Sequence, residues 1–292
     1  MKIRLLPFVV AVLMLTSAVN VFSQGGATPL GPEELGSKIY IGPVFGYNSV
    51  DHSTNKLATF GTDEVYCPDF TGGTGQGFYV GLTYEHHLGK KIEESTSSII
   101  GRVLFSMYPG DMAVGGDDWP SLVVLNPLNP EGWGVTRSVT QHELDISYSV
   151  LAFEVMYKQN IMKEIPLGIT LGPTVEIPIQ KNIVQEYSII SPENVQFRRI
   201  YNQNPDGTPN YNSLKYEYRN SDRTVVPKDG DIENASAVRI GLKFGLQYEI
   251  IIGEGYYIVP SVYYNYSIMN VKSDEDYSIN VFQAGIDIRF AI

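Results

Sequence analysis

The stretch Val238-Arg-Ile-Gly-Leu-Lys-Phe-Gly-Leu-Gln-Tyr-Glu-Ile250 decides the fold. Val238, Ile240, Leu242, Phe244, Leu246, Tyr248 and Ile250 alternate with Arg239, Gly241, Lys243, Gly245, Gln247 and Glu249. Seven apolar side chains at period two cannot share one face of a helix, so the segment is a strand with one apolar and one polar side. The last segment repeats the rule: Phe282, Ala284, Ile286, Ile288, Phe290 and Ile292 face away from Gln283, Gly285, Asp287 and Arg289. A soluble sandwich would show the same alternation, and length separates the two readings. These runs reach 13 and 11 residues, whereas soluble strands usually have about five or six and a tilted membrane strand needs roughly 9 to 11.

Working outward, six further segments fit the pattern. Ile39, Ile41, Pro43, Phe45 and Tyr47 form the apolar side of a first strand, and Phe78, Val80, Leu82 and Tyr84 that of a second. Ile99 to Met107 gives a third, with Arg102 on the polar side. In the fourth, Leu144, Ile146, Tyr148 and Val150 share one parity and Leu151, Phe153, Val155 and Tyr157 the other. That switch predicts a β-bulge near Val150, because one extra residue flips the side-chain register. Leu167 to Ile177 forms the fifth, where Pro173 and Pro178 predict local distortion, since proline removes a ladder donor. Tyr256 to Ser267 is the seventh, after the strand at Val238.

Connections after strands one, three and five are long (about Val50 to Gly75, Tyr108 to Thr140 and Lys181 to Ala235), and those after two, four and six are short. Long external loops and short periplasmic turns are the asymmetry of an outer-membrane barrel. With both ends periplasmic the strand count is even, and the expectation is an all-β, eight-stranded antiparallel transmembrane β-barrel over residues 37–292. Tyr84, Tyr148, Tyr157, Tyr256 and Tyr266 fall where interfacial rings would sit.

Lys2 and Arg4, the apolar run Leu5 to Leu15 and small residues up to Gln24 have the order of a secretory signal peptide over 1–23, cut after Ser23, with a short periplasmic tail over 24–36. Losing Lys2 and Arg4 takes the formal charge from −11 to −13, which argues against a nucleic-acid partner. A single cysteine, Cys67, excludes an internal disulfide and a thiolate metal cluster. Mean hydropathy is −0.08, which a barrel tolerates because only every second residue faces lipid.

The runs Leu144-Asp-Ile-Ser-Tyr148, Leu171-Gly-Pro-Thr-Val175 and Ile240-Gly-Leu-Lys-Phe-Gly-Leu-Gln-Tyr248, with the C-terminal strand, resemble the PorT-like outer-membrane β-barrel family of Bacteroidetes. The resemblance covers strands across most of the chain after the leader and implies an eight-stranded barrel in the outer membrane. The family's namesake contributes to a protein secretion and gliding apparatus. This chain departs from the family in the roughly fifty-residue loop between strands five and six, which holds strand-like pieces of its own.

Glu85, Arg102, Glu143, Asp145, Glu154, Glu176, Arg239, Lys243, Glu249, Asp287 and Arg289 are expected to line the interior. Eight strands leave room only for side chains, and buried charges need partners, so the expectation is a plug of salt bridges, with a narrow porin-like solute channel as the alternative. Trp119, Trp133, Tyr187, Phe197, Tyr201, Tyr211, Tyr216 and Tyr218 make the external loops candidates for recognition of a protein partner or for packing on the barrel rim. Adjacent His86 and His87 point to opposite faces of a strand and need further ligands to hold a metal. His142 with Glu143, and His52 with Asp51, lack a nucleophile and are read as solvated loop residues. Gly72, Gly73, Gly75 and Gly77 lack the Lys-Ser/Thr of a phosphate loop and are read as a flexible approach to strand two. The expectation is thus a nonenzymatic outer-membrane protein without cofactor or metal. Its partners would be membrane lipid, the barrel-assembly machinery through the C-terminal strand, and a protein at the external loops.

Overall fold

A computed structural model describes residues 39–57, 69–88, 95–121, 123–125, 136–162, 165–253 and 255–292. The expected leader, tail, Cys67 and Trp133 lie outside them. Among the described residues sixteen strands follow in order: β1 (Ile39–Leu57), β2 (Phe70–Leu88), β3 (Ser97–Met107), β4 (Gly110–Ser121), β5 (Val123–Leu125), β6 (Thr136–Asn160), β7 (Leu167–Ser191) and β8 (Val195–Phe197). Then come β9 (Tyr201–Gln203), β10 (Pro209–Leu214), β11 (Glu217–Arg219), β12 (Thr224–Asp231), β13 (Arg239–Tyr248), β14 (Ile250–Gly253), β15 (Tyr256–Ser267) and β16 (Tyr277–Ala291).

Eight of them pair antiparallel in a ring, β1–β2–β3–β6–β7–β13–β15–β16, which closes where β16 pairs with β1. The fold is an eight-stranded antiparallel barrel, and closure leaves the ring without an edge. Its lower end carries the short turns, and its upper end the long excursions. Outward residues of the lower half form an apolar belt, with Leu82 66%, Val155 57%, Leu171 52% and Phe244 49% exposed. Tyr84, Tyr157, Tyr256 and Tyr266 also face outward. Tyr148 departs from the expectation of an interfacial ring: it points inward and is buried.

Above the belt the wall continues. β4 takes over from β3 against β6, and β12 takes over from β13 against β7. Hydrogen bonds Ser236 N to Val271 O and Ser273 N to Asn234 O tie that side to the β15–β16 connection. Among the described residues, the expected loops at 108–140 and 181–235 are therefore largely strand. So is the glycine run at 72–77, which belongs to β2 and pairs with β1. Gly75 is needed for close approach, because a Cβ there would collide with the Pro109 carbonyl at the bend from β3 to β4.

The irregularity near Val150 is real, but the extra residue sits on β7. Ser149 faces Gln180 and Val150 faces Pro178, leaving Ile179 unmatched beside a proline that has no N–H to give. Inward positions of β7 accordingly change from even (Thr174, Glu176) to odd (Ile183, Gln185). β6 keeps one parity throughout, with Leu144, Ile146, Tyr148, Val150, Ala152, Glu154, Met156 and Lys158 all buried.

Candidate functional site

The lower lumen is a ladder of charges. At the mouth, Glu85 of β2 accepts from Arg289 of β16 and from Ser98 of β3, and Lys158 of β6 bridges Glu85 and Glu249. Arg289 also reaches Asp287 at 2.7 Å. In the middle, Glu154 takes Arg102 Nε at 2.7 Å and the Lys243 ammonium, and Lys243 donates on to Gln283 at 2.6 Å. Higher up, Glu176 holds Arg239 at 3.2 Å and accepts from Tyr108 at 3.0 Å and Asn265 at 2.8 Å.

Five carboxylates (Glu85, Glu154, Glu176, Glu249, Asp287) thus meet five cations (Arg102, Lys158, Arg239, Lys243, Arg289). Equal numbers suit a tube where an unpaired charge would cost several kcal/mol. The Arg102 guanidinium also lies 4.3 Å from the Tyr263 ring centroid and 5.9 Å from that of Tyr79. Both rings cross the lumen over glycines, Tyr79 against Gly46 and Gly285 and Tyr263 against Gly245, where side chains would clash with them.

The structure brings together nine of the eleven residues expected inside. Glu143 and Asp145 are corrections: both are exposed on the outer wall. The parity switch in strand four suggested that Leu144 faces lipid and its neighbours the lumen. In fact β6 never flips, and Leu144 and Ile146 fill the interior above the belt. Lys158 was missed. It shares the parity of Glu154, so extending the inward row one step past Met156 would have found it.

Above Glu176 the interior turns apolar. Val50, Phe70, Leu144, Ile146, Tyr148, Ile183, Ile232, Val271, Ile279 and Val281 belong to one buried cluster. His52, inside this region and not in a solvated loop, lies 2.7 Å from Tyr277 Oη and 3.0 Å from the Pro109 carbonyl. Burial lowers its pKa from 6.5 to about 4, so it stays neutral. Outside, Asp145 faces Asp111 across the β4–β6 pair. Partial burial and that second carboxylate raise the pKa of Asp145.

Farther up, residues 187–226 build a platform with its own core. Ile189, Val195, Phe197, Tyr216 and Val225 are buried together, packed by Tyr187, Ile200 and Tyr218. His142, also buried, stacks on Tyr187 at 4.2 Å. Arg199 grips Asp222 through two bonds of 2.9 and 3.2 Å. Four of the aromatics expected at a recognition surface (Tyr187, Phe197, Tyr216, Tyr218) therefore serve packing. Trp119 lies on β4. Tyr201 and Tyr211 sit on the hairpin of β9 and β10 that rises from the platform.

No family model matches the chain, and none of the curated proteins compared with it matches. Among solved structures, neisserial surface protein A is similar at 9% identity and a TM-score of 0.34 over 88% of this chain and 98% of that one. The outer membrane protein OprG of Pseudomonas aeruginosa aligns at 10% identity and a TM-score of 0.33 over 90% and 100%. The attachment invasion locus protein Ail of Yersinia pestis aligns at 12% identity and a TM-score of 0.31 over 86% and 98%. Strand pairing and side-chain pattern define the class here: a transmembrane β-barrel of eight strands, closed and filled.

Proposed function

We propose that this is an exported, nonenzymatic outer-membrane protein whose filled barrel is a pedestal for a recognition platform held above the bilayer. The observation that carries this reading is the length and polarity of β6 and β7. Each runs 25 residues, about twice what a tilted strand needs to cross the membrane. On β6 the outer wall changes from Leu151, Phe153 and Val155 to Glu143, Asp145 and Ser147 half way along. A wall apolar below and acidic above fits a barrel that leaves lipid and continues into water.

The reading also takes 1–23 as an export signal, residues 282–292 as the strand offered to the assembly machinery, and the PorT-like resemblance as kinship in fold. The test is crosslinking and copurification from the native membrane. A protein captured by the full chain, and lost when 192–222 are replaced by a short turn in a variant that keeps folded gel mobility, supports a surface or assembly role. An unchanged capture profile refutes it.

The charged lower lumen favours a second reading, a narrow solute channel. The apolar fill above it opposes this, so reconstituted protein is expected to be electrically silent in planar bilayers. Discrete conductance steps, enlarged by Arg239→Ala, would replace the sealed reading by the channel.

A further inference from the structure

We infer that the β9–β10 hairpin, Tyr201 to Leu214, is a binding site for a neutral glycan; this rests on the platform reading above. The hairpin is braced by its own hydrogen bonds. Asn204 N donates to Thr208 O at 2.8 Å and Gly207 N to Asn204 O at 2.9 Å, with Gly207 at a φ of 81° that the turn requires. Asp206 accepts from Thr208 N at 3.0 Å and Thr208 Oγ1 at 2.6 Å. Asn202 Nδ2 ties the two arms through Ser213 Oγ at 2.7 Å and Leu214 O at 3.2 Å. Lys215 N to Ile200 O, 2.8 Å, fastens the base to the platform.

On this braced frame stands the most water-exposed large apolar side chain among the described residues. Tyr211 is 74% exposed, against 66% for Leu82 in the lipid belt. Its ring meets Tyr201 edge to face at 5.1 Å, which fixes its plane. No lipid covers it at this height, and its exposure without a partner costs hydration free energy that a bound apolar surface would recover.

The chemistry around the ring selects the ligand. In a chain of net charge −11, the fourteen residues 201–214 hold one charged side chain, Asp206, and its carboxylate is engaged by the turn. What remains is amide and hydroxyl. The side-chain amides of Gln203 and Asn212 have no partner among the described residues, and Asn210 uses only its Oδ1, accepting from Asn212 N at 3.1 Å. An exposed aromatic ring on a segment rich in uncommitted amides matches a pyranose, which offers a C–H face for stacking and a rim of hydroxyls for paired donors and acceptors. Within the hairpin itself a charged polymer or an anionic lipid headgroup finds no cation; Arg198, Arg199 and Lys215 lie outside it at its base, with Arg199 held by Asp222 and Lys215 over the Tyr216 ring. Tyrosine and asparagine also serve protein recognition, so a protein held at this hairpin with no glycan retained is the outcome that would refute the inference.

The test uses full-length protein in nanodiscs passed over immobilised neutral oligosaccharides of glucose, mannose, galactose and N-acetylglucosamine. A single exposed ring gives weak affinity and relies on several copies acting together, with single-site Kd about 1 mM. Retention on at least one glycan, released by the same free sugar, is expected. Tyr211→Ala should lower it at least tenfold, Tyr211→Phe should keep most of it, and the double variant Gln203→Ala/Asn212→Ala, which leaves both rings, should lose it as Tyr211→Ala does. Failure of every glycan to retain the protein, or retention indifferent to Tyr211→Ala, overturns the inference. If a protein is still captured through 192–222 in that case, the platform reading survives; if nothing is captured, both fall.

Discussion

The two halves of β6 share one parity and one backbone, yet they solve opposite problems. Below Ser149, Phe153 and Val155 face out while Glu154 and Lys158 face in; above it, Glu143 and Asp145 face out while Leu144 and Ile146 face in. The interior complements whatever surrounds the wall. Lipid outside forces polar residues into the lumen, where they pair; water outside lets the lumen become an ordinary hydrophobic core. Alternation shows which residues share a face, and the medium decides which face is apolar.

The largest effect expected from disturbing this contrast lies in the lower half. Glu154→Ala leaves Arg102 and Lys243 buried without their shared carboxylate and should destabilise the barrel by about 3–5 kcal/mol, read as a lower urea midpoint in folded gel mobility. Replacing all three by apolar residues of similar volume should recover much of the loss.

Upper-half core truncation comes next. Leu144→Ala removes a fully buried side chain and should cost about 2–4 kcal/mol through lost burial and the cavity left behind. The same substitution in the next residue, Asp145→Ala, should change stability by less than about 0.5 kcal/mol because that position faces water. Equal costs at the two sites would break the comparison.

A smaller, pH-dependent effect belongs to His52. Its folded pKa is depressed to about 4 from 6.5, so the unfolded chain binds the proton more readily. The stability it contributes is fully present above pH 6.5 and lost as pH falls towards 4, amounting to at most about 3 kcal/mol. Unfolding midpoints across that window should fall less for His52→Gln, in which the side-chain amide still donates to the Pro109 carbonyl, than for the natural chain.

Much of the architecture was legible in the sequence because the belt obeys one simple rule. The runs 238–250 and 282–292, the eight ring strands and the alternation of short and long connections all follow from period two and membrane thickness. The upper half was not legible from the same rule. β4, β12 and the upper parts of β6 and β7 carry short apolar-inward rows that read as loop when lipid is assumed outside. The error at Glu143 and Asp145 has this origin: a change of medium mimics a change of register. A true register change was present nearby, but Pro178 placed it on the partner strand. Among the aromatics, sequence could not separate Phe197 and Tyr216, which pack the platform core, from Tyr211, which stands in water, because that distinction depends on contacts between strands far apart in the chain.

The most direct test is a cysteine scan along β6 in intact cells, with Cys67 first replaced by Ser and a membrane-impermeant maleimide as the probe. The account predicts labelling at positions 143, 145 and 147, protection at 153 and 155 by lipid, and protection at 144 and 146 by the core. Labelling at 144 and 146 with protection at 143 and 145 would contradict it.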